Sequence, residues 1–538
     1  MNDSLPTASA VAVRDGRIID VGSIESMQPW LNAFPHEIDR RFESKVLMPG
    51  LIDPHLHPTM AAILLPMHFV TAMEWRLPWK TVAPVLGHEN FVARLKQIDQ
   101  ELQDPDEPLF SWGYQSIWHG KMSRQILDTV SLNRPVIAWQ RSFHELFVNT
   151  AALKWMGLSE ADVADHPQVN YAKGRLYETG LSVALARFAP YLREPARFRG
   201  GLERLRQAVH FGGQTTIGDL AVGMFGGVDA EWDVLTKVLD NDQTPFRVHM
   251  TARGVSRGED FSDPQGNLAR LQALPQRNTH RLFFSDHVKL FTDGGFFAEL
   301  MQLQAPGFID GHQGEWLMVP EQFEAAARLY WNAGMRIHVH CTGDLGLELA
   351  LDVLEKLQFE RPRFNHRFTI EHFGVSTPEQ CRRIADLGAL VSANVYYLYE
   401  LSEAYWQHSI GYERASTMAR LGTLVNQGVT VALHSDFTMA PALPLNSAWV
   451  ATNRLSSGGK VMAPAECLSL HQAMRAITID AAYMLGLEND VGSLRAGKKA
   501  DFCVLEADPY ETPVSELKDI PIWGTVFEGK PFPLKGSV

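Results

Sequence analysis

Short apolar runs bounded by turn residues mark both ends of the chain, and the long middle alternates apolar strands with amphipathic helices. Within the first 50 residues, AVAV (10–13) and IIDVG (18–22) flank RDGR (14–17), and its central Asp-Gly is a hairpin signal. Towards the other end, ADFCVLEAD (500–508) precedes IWGTVFEGKPF (522–532), where Glu528-Gly529 turns between two short strands. Two β-rich ends around a long middle predict that the termini meet and build one small β-domain, residues 1–50 with 490–538. Two independent β-caps are the alternative.

The middle has the pattern of a parallel α/β fold. Eight strands are predicted at 46–57, 215–222, 246–252, 287–293, 335–341, 367–373, 389–397 and 430–437. Helices fill the gaps, for example PEQFEAAARLYWNAG (320–334) and TPEQCRRIADLG (377–388). The second has a capping box, Thr377 three residues before Gln380, and ends at Gly388. Eight strands with intervening helices is the count of a (β/α)8 barrel, here expected over 51–489. About 157 residues separate the first strand from the second, far more than one βα unit holds. LFSWGYQSIW (109–118) and PVIAWQ (135–140) read as further strands in that gap, so an inserted subdomain or lid is expected over 75–200.

Composition narrows the class. The 538 residues are 45% hydrophobic, enough for a large core without disulfide or metal staples. Lys and Arg number 49 against 62 Asp and Glu, a net charge of −13, and no basic cluster is present; nucleic acid and anionic membranes are disfavoured as partners. The longest apolar stretch, near 61–70, is half the ~20 residues of a membrane helix and holds Pro66 and His68. The opening residues show no basic segment followed by an apolar one, and the four cysteines are far apart without a CxxC, which together suit a reducing cytoplasm.

The chemistry gathers at strand ends, where such barrels carry their active sites. The first strand ends in His55-Leu56-His57, whose alternation puts both imidazoles on one face. The fourth carries Lys289, the fifth His340, the sixth His372 and the eighth Asp436. Imidazole and carboxylate suit Zn2+ and related divalent ions. An ammonium among them would be repelled, unless Lys289 were carbamylated by CO2 into an anion able to bridge two metals. His338 and His434, two residues before His340 and Asp436, are read as structural residues or residues that orient ligands, with direct ligation as the alternative. Trp112, Trp118 and Trp139 are assigned to a core rather than a pocket wall, Asp344 to capping the helix over 346–357. Asp293-Gly294-Gly295 is a turn, since no GK[ST] follows to make a phosphate loop.

Several motifs extend this reading. MPGLIDPHLHP (48–58) resembles the PGxIDxHxH signature of the amidohydrolase superfamily. VHCTGDLG (339–346), FTIEHFG (368–374), VALHSDFTMAP (431–441) and VGSLRAGKKADFCVLEADP (491–509) resemble segments of its amidohydrolase 3 branch, which includes N-substituted formamide deformylases. His434 departs from that pattern, which has a small residue before Ser-Asp. The resemblance implies a metal-dependent hydrolase with a (β/α)8 barrel and a β-sandwich built from both chain ends. By the motif match, His55 and His57 would bind one metal and His340 and His372 a second. Carbamylated Lys289 would bridge them, and Asp436 would be both ligand and general base. His144 and Glu178 fall where relatives carry substrate contacts, a structural role being equally open. The expected substrate is a small molecule with an amide, formamide or cyclic amide C–N bond. A deaminase and an ester or lactone hydrolase are alternatives on the same scaffold, and a non-catalytic metal-binding barrel is a third. A homodimer is compatible with the resemblance.

Overall fold

The computed structural model describes residues 4–224, 226–255 and 263–534. The chain forms two compact units: residues 1–57, 206–294 and 300–538 in one, 58–205 with 295–299 in the other.

The larger unit is built on a sheet of eight parallel strands in chain order: β1 (Leu51–Leu56), β2 (Gln214–Val222), β3 (Arg247–Arg253), β4 (Leu282–Phe291), β5 (Arg336–Cys341), β6 (Thr369–His372), β7 (Leu390–Ala393) and β8 (Val431–Leu433). All eight correspond to strands read from the sequence. Apart from β4, whose Asp286 is exposed, they are almost entirely buried on both faces, which is why they appear as apolar runs rather than alternations. A parallel bridge between Leu56 and Phe437, with His57 N–H donating to Phe437 O at 3.0 Å and Asp436 N–H to His55 O at 2.9 Å, brings the first strand against the segment after the last. The sheet is a TIM-like barrel.

Helices α1 (Val228–Leu239), α2 (Pro264–Ala273), α3 (Pro320–Asn332), α4 (Asp344–Glu360) and α5 (Pro378–Asp386) follow β2 to β6 in turn. The capping box of Thr377 and Gln380 at the start of α5 is present. Asp344 differs from its expected role. Gly343 is the N-cap of α4, and Asp344 is the first helical residue, its carboxylate accepting from Gln304 N–H at 2.8 Å and pairing with Arg414 at 2.9 Å. Partners far along the chain have taken the carboxylate that a local cap would have used.

Both chain ends contribute to the larger unit. Val46–Pro49, Phe502–Leu505, Ile522–Phe527 and Lys530–Pro533 form a four-stranded antiparallel sheet in that order. The hairpin of Ala10–Arg14 and Arg17–Gly22 turns at Asp15 and Gly16, both at positive φ as a type I′ turn requires. It joins the C-terminal segment through Ile18 N–H to Lys498 O and Ala500 N–H to Gly16 O, both 2.8 Å. Ile18, Phe502, Val504, Trp523 and Val526 share one core with Val11, Val21 and Leu47.

The smaller unit has a six-stranded mixed sheet that includes Leu109–Tyr114 and Val136–Gln140. Trp112 and Trp139 are buried in it and Trp118 is half-buried. Phe69, Trp75 and Trp112 pack edge to face with ring centroids 5.1–5.6 Å apart. Among the described residues no helix is long and apolar enough to cross a membrane, and the four cysteines are unpaired.

Candidate metal centre

Strand β1 delivers His55 as its penultimate residue and His57 just beyond its end. Asp436 follows β8 in the left-handed region, φ 50°, and His372 at the end of β6 has φ 74°. Such backbone is costly for side-chain-bearing residues and persists where surrounding structure imposes it, often at functional sites. The turn carrying Asp436 is held by Asp53 of β1, whose carboxylate accepts from Ser435 N–H at 3.2 Å, the Ser435 hydroxyl and His55 N–H at 3.3 Å. Burial pushes the Asp53 carboxyl up to about 7 against the pull of those Ser435 hydrogen bonds.

Imidazoles surround the Asp436 carboxylate. His57 Nε2 lies 3.0 Å and His55 Nε2 3.7 Å from Oδ1, and His372 Nδ1 lies 3.6 Å from Oδ2. Two groups of three ligand atoms lie within 4.8 Å of one another: His55, His57 and Asp436, and His55, His372 and His434. The His340 ring is 4.4 Å from that of His372, centroid to centroid, and its Nε2 is 3.5 Å from Gly294 O. Lys289 is 1% exposed, with no hydrogen-bond partner for its ammonium nitrogen. Burial lowers its pKa to about 8, with Glu371 and Asp436 opposing the shift.

These residues fit a divalent cation. His55 Nε2, His372 Nδ1, His434 Nε2 and Lys289 Nζ are all buried without a hydrogen-bond partner, whereas buried polar atoms are ordinarily paired. Burial, followed by the positive charge of Lys289 at His55 and by neighbouring His340 at His372, holds both imidazoles well below their usual pKa. Burial likewise lowers His434 to about 4. Neutral imidazole is the form that binds a metal.

Behind the ligands runs a hydrogen-bonded chain of which sequence reasoning singled out His338 but not Glu371 or His287. Glu371 accepts from His55 Nδ1 at 2.8 Å and from His338 Nδ1 at 2.6 Å, and His338 Nε2 lies 2.9 Å from His287 Nδ1. Burial raises the Glu371 pKa, but the His338 hydrogen bond and the Lys289 charge outweigh it and hold the carboxyl at about 2. A carboxylate on the far nitrogen of a histidine fixes its tautomer and turns the near nitrogen to the ligand. The available signal was an acidic residue inside the apolar strand FTIEHF. Asp293 is a second such hub after β4, accepting from the backbone N–H of Thr342, Gln302 and Gly343 at 2.7–2.9 Å. It forms an isolated antiparallel bridge with Trp316 rather than the expected turn, and it also secures the segment beyond His340.

His144 and Glu178 lie in the smaller unit. Nδ1 of His144 is 2.9 Å from Glu178 Oε1, and Glu178, with φ 45°, is nearly fully buried. They form a pair with each other.

A parallel barrel whose strand ends gather imidazoles around a carboxylate defines a hydrolase of the metal-dependent class. The chain belongs to the amidohydrolase family, whose model matches residues 43–532. Protein LONG AFTER FAR-RED 3 of Arabidopsis thaliana is 25% identical over 95% of this chain and 86% of its own. The N-substituted formamide deformylase of Arthrobacter pascens is 23% identical over 97% of this chain and 94% of its own. An uncharacterized metal-dependent hydrolase from Pyrococcus horikoshii shares the fold with a TM-score of 0.72 and 20% identity, over 95% of this chain and 96% of that one.

Proposed function

We propose that the protein hydrolyses a C–N bond in a small amide, formamide or cyclic amide, with one or two divalent cations held by His55, His57, His340, His372 and Asp436. The observation that carries this reading is the gathering of buried imidazoles around the Asp436 carboxylate, with no hydrogen bond at His55 Nε2 or His372 Nδ1. Zn2+ or a similar ion there supplies Lewis acidity and water acidified from 15.7 towards ~7. Asp436 then takes a proton from the attacking water and returns it to the departing nitrogen. Glu371 keeps His55 in one tautomer, and Asp53 fixes the turn beneath Asp436. The formamide deformylase of Arthrobacter pascens supports the substrate class. Buried, unpartnered Lys289 supports a carbamate bridge between two metals: neutral amine reacts with CO2, and the anion formed would offset cationic charge. In this reading the sheet and hairpin from the two chain ends are the family's β-sandwich, residues 58–205 are the insertion, and His144 with Glu178 contacts substrate.

The test is a panel of N-formyl and N-acyl amines, cyclic amides, aminopyrimidines and esters, run on chelator-stripped and Zn2+-reloaded protein. C–N hydrolysis that is lost with the metal and returns with it is expected. Turnover of only esters or aminopyrimidines would move the assignment to those classes, and activity indifferent to chelation would remove the metal. Asp436→Asn is expected to lose ~10²–10⁴-fold in kcat while folded, the usual contribution of a general base. Near-normal kcat in that variant would take Asp436 out of the proton transfer.

A further inference from the structure

The surroundings of His434 are not those of a group that merely orients a neighbour. Its Nδ1 is engaged by the Ser392 hydroxyl at 2.7 Å, which fixes the ring, and its Nε2 is left without a hydrogen-bond partner. The residue is 1% exposed, so water from outside does not satisfy that nitrogen. The His55 and His372 rings lie 4.5 and 5.2 Å from its own, centroid to centroid. One ring nitrogen from each of the three lies within 4.8 Å of the other two. His55 has its Nδ1 committed to Glu371, so its free atom is also Nε2. A set of three buried, unpaired imidazole nitrogens is costly unless something coordinates them all. His338, by contrast, has both nitrogens occupied, by Glu371 and His287, as an orienting residue should.

We propose that His434 is itself a metal ligand, completing an all-imidazole face with His55 and His372. The inference rests on the reading of this centre as a metal site and adds a donor to it. Three neutral nitrogen donors favour Zn2+, Co2+, Ni2+ or Cu2+ over Mg2+, Ca2+ or Mn2+, which prefer oxygen. The centre therefore carries a stronger bias towards nitrogen-loving ions than one with a small residue at 434.

The experiment uses the full chain, stripped with a chelator and titrated with Zn2+ in competition with a chromophoric chelator, for wild type, His434→Gly and His434→Gln. Both variants are expected to weaken at least one metal equivalent by ~10-fold or more, since changing even outer partners of a ligand costs 10–100-fold. X-ray absorption on the Zn2+-loaded proteins should count one imidazole fewer in the variants. A Zn2+-bound wild-type crystal structure supplies a measurement that needs no variant, with His434 Nε2 expected at ~2.0–2.1 Å from the ion. Unchanged affinity and imidazole count, or a His434 Nε2 more than ~3 Å from every metal, overturns the proposal and leaves the metal-dependent reading standing. A folded wild type that takes up no Zn2+ overturns both.

Discussion

Glu371 holds one imidazole on each carboxylate oxygen, and the two bonds have different consequences. The bond to His55 sets which nitrogen of a proposed ligand faces the metal, and the bond to His338 keeps the carboxylate ionised and in place. Glu371→Gln can still accept one hydrogen bond, but it loses the charge and meets His338 or His55 with an amide N–H. Zn2+ affinity is expected to fall ~10–100-fold by competition titration. An unchanged affinity would show that His55 needs no orienting partner. Lys289 poses the opposite problem, a buried basic group with no hydrogen-bond acceptor. Lys289→Ala is expected to lower metal content and turnover together, with acetate or formate restoring part of both by standing in for a bridging carboxylate. If metal content is unaffected and small carboxylates do nothing, the bridge does not exist. The sequence singles out His55, His57, Lys289, His340, His372 and Asp436 because each is a polar residue at or near the end of an apolar run. Glu371 lies inside such a run beside a histidine, and its importance comes from His338 and His55, 33 and 316 residues away. No local pattern encodes those distances.

At the scale of the element, all eight barrel strands were visible as apolar runs, but their ends were not placed alike. The sequence runs together what the structure divides at Gly50: Val46–Pro49 belongs to the antiparallel sheet, and Leu51–Leu56 to the barrel. A continuous apolar string gives no hint of such a change of partner. The left-handed backbone at His372, Phe373 and Asp436 was equally invisible: Asp and His tolerate it better than most residues, but no glycine marks these positions. Strand packing sets the ligand positions as firmly as the turns do. A Cβ on Gly218 of β2 would lie 2.1 Å from Pro54 O, so β1 can approach β2 at that point only over a glycine. Gly218→Ala must push β1 outward and carry His55 with it. We expect a loss of ~1–3 kcal/mol in denaturant unfolding, the usual cost of overpacking, together with weaker Zn2+ binding. Equal stability to wild type would mean that β1 yields without strain.

Over the whole molecule, the two chain ends are tied to the barrel by charge as well as by strands. Buried Arg247 of β3 pairs with Asp501 and, at 3.2 Å, with Glu528, which also meets Lys499 and His280. Burial raises the Glu528 pKa from 4.5, but the bond to Lys499 and the charges of Lys499, Arg247 and His280 bring it down to about 2. A carboxyl lowered on folding gives stability that is full above its unfolded value of 4.5 and is lost as pH falls through about 2. The melting temperature should therefore drop more steeply between pH 4.5 and 2 in wild type than in Glu528→Gln, which starts lower at neutral pH. Parallel slopes would show that this cluster contributes nothing to acid sensitivity. The meeting of the ends was legible from two β-rich termini; the charged cluster was not, because its members are spread over strands and turns that only the fold assembles. The closure between β1 and β8 joins Asp53 to Ser435 across 382 residues of sequence. A nascent chain therefore has His55 and His57 long before it has the carboxylate that faces them. The centre cannot be assembled during most of synthesis, whatever the supply of ions. With the metal ligands proposed above, loading would follow the last stage of barrel closure, so a variant slow to close that seam would accumulate as folded-looking, metal-poor protein even where divalent ions are plentiful.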